Sequence, residues 1–246
     1  MTSKQQSFAG SEGHQLAGRL ELPDGEPRAY ALFAHCFTCS KDSKAAAFIS
    51  QALAARGIAV LRFDFTGLGM SGGEFGATTF SSNIGDLVAA AAHLRASYAA
   101  PRILIGHSLG GAAVLAAAAR VPEARAVATL GAPFEPGHVE HLIRNPSAEG
   151  EVTIGGRPFR IGKGFLDDLR RHDPAKIIKE LRKALLILHS PRDMVVSIDH
   201  AAKIFTAARH PKSFVSLDDA DHLLTRAEDA SYAAEVLAAW ASRYLR

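Results

Sequence analysis

The chain carries the five-residue pattern Gly-x-Ser-x-Gly twice, and the surroundings of each copy decide what chemistry it could do. Gly106-His107-Ser108-Leu109-Gly110 follows the apolar run Ile103 to Ile105 and leads into the small residues Gly111, Ala112 and Ala113, which reads as strand, sharp turn and helix. Such a turn forces its serine into a strained backbone conformation. Glycines on either side then let the helix and the neighbouring strand approach without a Cβ clash. The hydroxyl sits at a helix N-terminus, where the dipole and free N–H groups favour the negative charge that develops in acyl transfer. Ser108 is therefore the candidate nucleophile, since helix capping alone would need neither glycine. The second copy, Gly69-Met70-Ser71-Gly72-Gly73, runs into Glu-Phe-Gly-Ala-Thr-Thr, a loop without the small-residue helix, so Ser71 is set aside.

A serine hydroxyl is a poor nucleophile until a base takes its proton, and the base must be oriented by a third group. After a strand-to-helix serine the expected order along the chain is acid, then histidine. Asp193 lies just past the apolar run Ala184 to Leu188, in a loop at the carboxyl edge of a sheet, where functional residues of open sheets collect. Its rival Asp199 follows Ser197 at what reads as a helix start, where a carboxylate is explained by the first-turn dipole. Of the eleven histidines, His222 follows both the nucleophile and the acid and sits between the last strand and the C-terminal helix. His35 ends a strand, His107 lies inside the elbow, and His189 and His200 flank the acid loop.

The elements that must bring these residues together alternate in kind. Apolar runs at Ala29 to Ala34, Ile58 to Phe63, Ile103 to Ile105, Ala126 to Leu130, Ala184 to Leu188 and Ser213 to Leu217 are each followed by a helical pattern. That is the signature of an α/β fold with a parallel sheet covered on both faces. Around Phe8 and from Gln15 to Leu22 no helix intervenes, which predicts an antiparallel hairpin leading into the sheet. The alternation breaks from Pro133 to about Leu181, with a hairpin expected over 152–161 turning at Gly155-Gly156 and a short helix from Phe165 to Arg171. The expectation is one domain over 1–246 with a cap inserted at about 133–181.

At 246 residues and 48% hydrophobic, the chain can fill one large core. A net charge of +3, without dense Lys/Arg clusters, argues against a nucleic-acid partner. The polar N-terminus, the absence of any apolar run of about 18 residues and a lone closely spaced cysteine pair, Cys36 and Cys39, lead to the expectation of a cytoplasmic protein without a membrane partner. Nothing in the sequence fixes an oligomeric state.

With these residues in hand, the sequence resembles the α/β-hydrolase superfamily over nearly its whole length. The segments His35-Cys-Phe-Thr-Cys-Ser-Lys-Asp42, Leu61-Arg-Phe-Asp-Phe-Thr-Gly-Leu-Gly-Met-Ser71 and Ile105-Gly-His-Ser-Leu-Gly-Gly111 look like the hydrolase portion of bacterial proteins often fused to an OsmC-like domain. The inserted hairpin and helix look like the cap of small feruloyl and cinnamoyl esterases. The resemblance implies an oxyanion hole built from the backbone N–H groups of Phe37 and Leu109, with Cys36 standing where such esterases usually have glycine. It implies a serine carboxylesterase acting on small acyl or aryl esters without a metal or organic cofactor. Phe159, Phe165 and Leu166 are its candidate pocket walls. Thioesterase and amidase or peptidase activity share the same intermediate and remain alternatives. Two readings of other classes compete. Cys36-Phe-Thr-Cys39 is a C-x-x-C after a strand, a pattern of dithiol redox sites and of thiols that modulate an enzyme when oxidised. A non-catalytic binding domain could use the same fold, but it would have no use for three competent side chains in this order.

Overall fold

The N-terminal segments pair as an antiparallel hairpin, β1 (Thr2–Ala9) with β2 (Gln15–Leu22), with Phe8 opposite Leu16. The chain then alternates between strand and helix: β3 (Ala29–Ala34), α1 (Lys44–Ala54), β4 (Ile58–Phe63), α2 (Phe80–Ser97), β5 (Ile103–His107), α3 (Leu109–Ala117) and β6 (Ala126–Leu130). After β6 come a 3-10 segment, the short antiparallel hairpin β7 (Glu151–Ile154) and β8 (Arg157–Arg160), and the helices α4 (Lys163–Leu169) and α5 (Pro174–Lys179). β9 (Ala184–His189), α6 (Ile198–Ala207), β10 (Lys212–Ser216) and α7 (Ala227–Ala241) follow. The computed structural model describes residues 1–142, 151–154 and 157–245. The Gly155-Gly156 turn expected from the sequence lies outside them.

The main sheet has eight strands in the order β1-β2-β4-β3-β5-β6-β9-β10. β2 meets β4 antiparallel, and every later pairing is parallel. Neighbouring residues on a strand point to opposite faces, and both faces of the central strands are covered, so these strands read as largely apolar runs. On β3, Ala31 and Phe33 join the layer formed with α1 and α7, whereas Leu32 and Ala34 join the layer formed with α2, α3 and α6. Side chains such as Phe33, fully buried, each stabilise the fold by about 1.5–3 kcal/mol through burial alone.

This is the α/β-hydrolase architecture. Parallel strands that run the same way deliver their C-terminal loops to one edge, so the loops after β3, β5, β6, β9 and β10 meet there. The 3-10 segment, β7, β8, α4 and α5 interrupt the alternation between β6 and β9, in the stretch where the sequence pattern fails.

Candidate active site

Ser108 sits between β5 and α3 at φ 56° and ψ −127°, a left-handed conformation that a residue with a Cβ adopts only under strain. What permits it is the space around it. A Cβ on Gly106 would lie 2.3 Å from the Gly110 carbonyl oxygen, and one on Gly110 would lie 2.4 Å from that of His35. The Ser108 N–H donates to the Leu130 carbonyl at 2.9 Å, tying the elbow to the end of β6.

The His222 imidazole reaches this elbow from the loop after β10, with Nε2 3.0 Å from Ser108 Oγ. Its Nδ1 lies 2.7 Å from Asp193 Oδ2. The other carboxylate oxygen, Oδ1, accepts from the backbone N–H groups of Val195 and Val196, both at 2.8 Å. Burial works to raise the Asp193 carboxyl, but the His222 bond and charge and the two N–H donors outweigh it and hold the group below its ordinary value. Asp193 is thus a carboxylate at neutral pH, able to orient one imidazole tautomer and to stabilise positive charge on it. The three residues lie 29 and 114 positions apart along the chain.

Two backbone N–H groups that border one pocket have no acceptor among the described residues: that of Leu109, the first residue of α3, and that of Phe37, in the loop after β3. Free N–H groups next to a nucleophile can receive an oxyanion. The loop carrying Phe37 is anchored several times. Cys36 and Cys39 are joined by a disulfide, and the Cys39 N–H donates to the Cys36 carbonyl at 3.1 Å. Thr38 takes a left-handed conformation at φ 59°. Lys41 closes the loop onto β4, its N–H 2.6 Å from Asp64 Oδ1 and its ammonium 2.8 Å from Oδ2.

An apolar pocket adjoins both N–H groups, with about 290 Å³ of empty space counting its open mouth, and the aromatic rings of Phe37, Phe65, Phe75 and Phe80 in its walls. Phe165 is buried and packs behind it, 5.5 Å from the Phe37 ring and 5.8 Å from that of Phe75, so α4 braces the loop that carries Phe37. Leu166 is half-buried against the same core. Phe159 lies on β8, and its side chain is outside the described residues.

A family model, serine aminopeptidase S33, matches residues 25–148, half of the chain, including the elbow and the loop after β3. The chain belongs to this family of hydrolases. The S33-family chain is 54% identical to the esterase domain of a Rhodothermus marinus protein over the whole of both chains, with a TM-score of 0.85. It is 30% identical over 141 residues to a monoacylglycerol lipase of Mycolicibacterium smegmatis, a match covering 56% of this chain and about half, 49%, of that lipase's length. Est1E of Butyrivibrio proteoclasticus, solved with ferulic acid bound, has the same fold at 17% identity, covering 97% of this chain and 98% of Est1E with a TM-score of 0.83. The chain is an enzyme of the serine hydrolase class.

The hydrolase spends its rival candidates on structure. Ser71 Oγ accepts from the Ala17 N–H at 2.9 Å and donates to the Asp64 carbonyl at 2.5 Å, knitting β2 to the loop after β4. Asp199 is exposed in the first turn of α6, behind the Ser197 cap. Two residues were missed from sequence. Gly131, at φ 53°, lies beside the Asp193–His222 pair, and Asp64 holds the loop after β3. A glycine directly after a strand could have signalled the first. Nothing short of the fold pairs Asp64 with Lys41.

Proposed function

We propose that the protein is a carboxylic ester hydrolase that works through an acyl-enzyme on Ser108. His222 takes the Ser108 proton as Oγ attacks the ester carbonyl, and Asp193 holds the imidazole in the tautomer this requires. The oxyanion is received by the N–H groups of Phe37 and Leu109, a contribution of about 3–4 kcal/mol per donor in comparable sites. His222 then gives its proton to the leaving alcohol, and a water attacking through the same base releases the acid. The single observation that carries this reading is the hydrogen-bonded run Asp193 Oδ2, His222 Nδ1, His222 Nε2, Ser108 Oγ, with two backbone N–H groups of the adjoining pocket that have no acceptor among the described residues.

The family description names aminopeptidases, so amide substrates are the second reading. An aminopeptidase must recognise a charged α-amino group, which calls for a carboxylate near the acyl site. Among the described residues lining the pocket beside Phe37 and Leu109 there is none, and the lining is mostly apolar. That favours a small acyl or aryl group without a cationic end. The insertion between β6 and β9 acts in this reading as a cap whose helix α4 shapes the pocket from behind. The esterase name of the Rhodothermus marinus domain and the acylglycerol named for the lipase point the same way.

The test is a panel of p-nitrophenyl esters of rising chain length beside a feruloyl ester, an acyl thioester and an aminoacyl p-nitroanilide. Esters should turn over fastest. Ser108→Ala should lower turnover by at least about 10⁴-fold, and a fluorophosphonate should label Ser108 alone. Turnover of the anilide only would reverse the choice of substrate, and activity surviving in Ser108→Ala would remove the mechanism.

A further inference from the structure

Three of the parallel strands that deliver the site loops end in histidine or run directly into one. His35 directly follows β3, and His107 and His189 are the last residues of β5 and β9. All three are at most 1% exposed. Each ring places one nitrogen on a backbone carbonyl of a loop that carries a site residue. His35 Nδ1 is 2.8 Å from the Cys36 oxygen, beside Phe37. His107 Nε2 is 2.6 Å from the oxygen of His222 itself. His189 Nε2 is 2.8 Å from the Val196 oxygen, closing the loop that holds Asp193.

A carbonyl oxygen can only accept, so the proton must sit on Nδ1 of His35 and on Nε2 of His107 and His189. The remaining nitrogen of each ring, Nε2 of His35 and Nδ1 of the other two, is buried without a partner. Burial holds all three imidazoles neutral, His107 down at about 3. A leucine or phenylalanine would fill the same space without stranding a polar atom. What the imidazole adds is the single N–H that reaches the loop.

The geometry is most specific at His107. It and Ser108 are consecutive, and both engage His222, one through its main chain and the other through its ring. The backbone of the base is thereby referenced to the residue next to the nucleophile, across 115 positions of sequence. We propose that His107, His189 and His35 are positioning residues, neutral donors that fix the loops bearing the base, the acid and an oxyanion donor, with His107 setting the approach of His222 to Ser108. The proposal rests on the Ser108–His222–Asp193 reading above. It assigns no contact with substrate to any of the three. The titratable groups facing His107 are His222, Asp193 and His35.

The experiment compares His107→Gln, His107→Asn and His107→Phe with wild type and Ser108→Ala, using p-nitrophenyl acetate. Glutamine places an amide N–H near the position of Nε2 and should keep kcat within about fivefold. Asparagine, too short to reach the His222 carbonyl, and phenylalanine, which fills the space without a donor, should lower kcat by about 30- to 100-fold with KM nearly unchanged, because small misplacements of a catalytic group cost rates of this order. They should also move the acid limb of the kcat/KM pH profile, which a loss of folded protein alone would leave in place. If phenylalanine prevents folding, the asparagine–glutamine pair still decides. Equal rates in those two variants, or a folded phenylalanine variant with wild-type kcat and acid limb, would overturn the proposal. Ser108→Ala separates the two readings. If it is inactive while the His107 variants behave as wild type, only the positioning role is lost. If it is active, the triad itself is wrong.

Discussion

A Cβ placed on Gly131 would lie 3.1 Å from Asp193 Oδ2, the carboxylate oxygen that holds the His222 ring, and 3.3 Å from His222 Nδ1. The absence of a side chain directly after β6 is thus part of how Asp193 and His222 come together. Gly131→Ala would crowd that bond and put a Cβ on a residue at φ 53°, a conformation costing an ordinary residue about 1–2 kcal/mol. We expect kcat on a p-nitrophenyl ester to fall by about tenfold or more, with a loss of stability of about 1–2 kcal/mol by urea denaturation. An alanine variant with unchanged kcat would show that the pair tolerates the added methyl.

Asp64 is fully buried and accepts from the Lys41 N–H, the Lys41 ammonium and the Met70 N–H. It fastens the loop that carries Phe37 to the loop after β4. Lys41→Met would leave this carboxylate buried without its ionic partner, a change that typically costs 3–5 kcal/mol, so about that loss is expected in urea titration. The same variant should lower kcat more than it raises KM, because in the proposed mechanism the Phe37 N–H acts at the oxyanion rather than in ground-state binding. A wild-type unfolding midpoint would sink this account.

How far these relationships could be read from residues alone varies with their physical cause. The central strands were legible because both sheet faces are buried, which leaves unbroken apolar runs such as Ala184 to Leu188. The turn at Ser108 was legible because the elbow needs glycines at fixed offsets, and the meeting of Ser108, His222 and Asp193 because chain order in this fold is constrained. The roles of Gly131, Asp64 and His107 were not, because each depends on a partner supplied by another strand or loop. The pocket candidates show the same limit. An aromatic residue in the insertion is apolar whether it lines a pocket or braces one, and Phe165 braces Phe37 from behind.

The disulfide between Cys36 and Cys39 encloses Phe37 and Thr38, so a change of redox state acts beside the proposed oxyanion donor Phe37. The loop has other anchors, in Lys41 on Asp64, His35 on the Cys36 carbonyl and Phe165 on the Phe37 ring. We therefore expect Cys36→Ser with Cys39→Ser, or treatment of wild type with dithiothreitol, to change ester turnover by less than about tenfold, far less than loss of the nucleophile would. Complete loss on reduction, recovered on reoxidation, would instead make the bridge a required part of the site. The comparison is a steady-state assay with and without reductant, with free thiols counted in parallel.

The buried histidines also set how stability depends on pH. In the unfolded chain each imidazole titrates near about 6.5, whereas in the fold burial depresses all three, His107 to about 3. Between those values the unfolded chain binds more protons than the native one, so stability rises with pH through the window. It is fully present above the unfolded value and is lost as pH falls towards the folded one. A group depressed as far as His107 contributes a slope of up to about 1.4 kcal/mol per pH unit, and His35 and His189 add in the same direction. Urea unfolding at pH 7.5, 6.5 and 5.5 should show a steep decline in the lower interval and little change in the upper one. His107→Gln removes one titrating group and should make that decline shallower. A stability that stays level down to pH 5 would mean that these rings accept a proton in the fold as readily as in the unfolded chain.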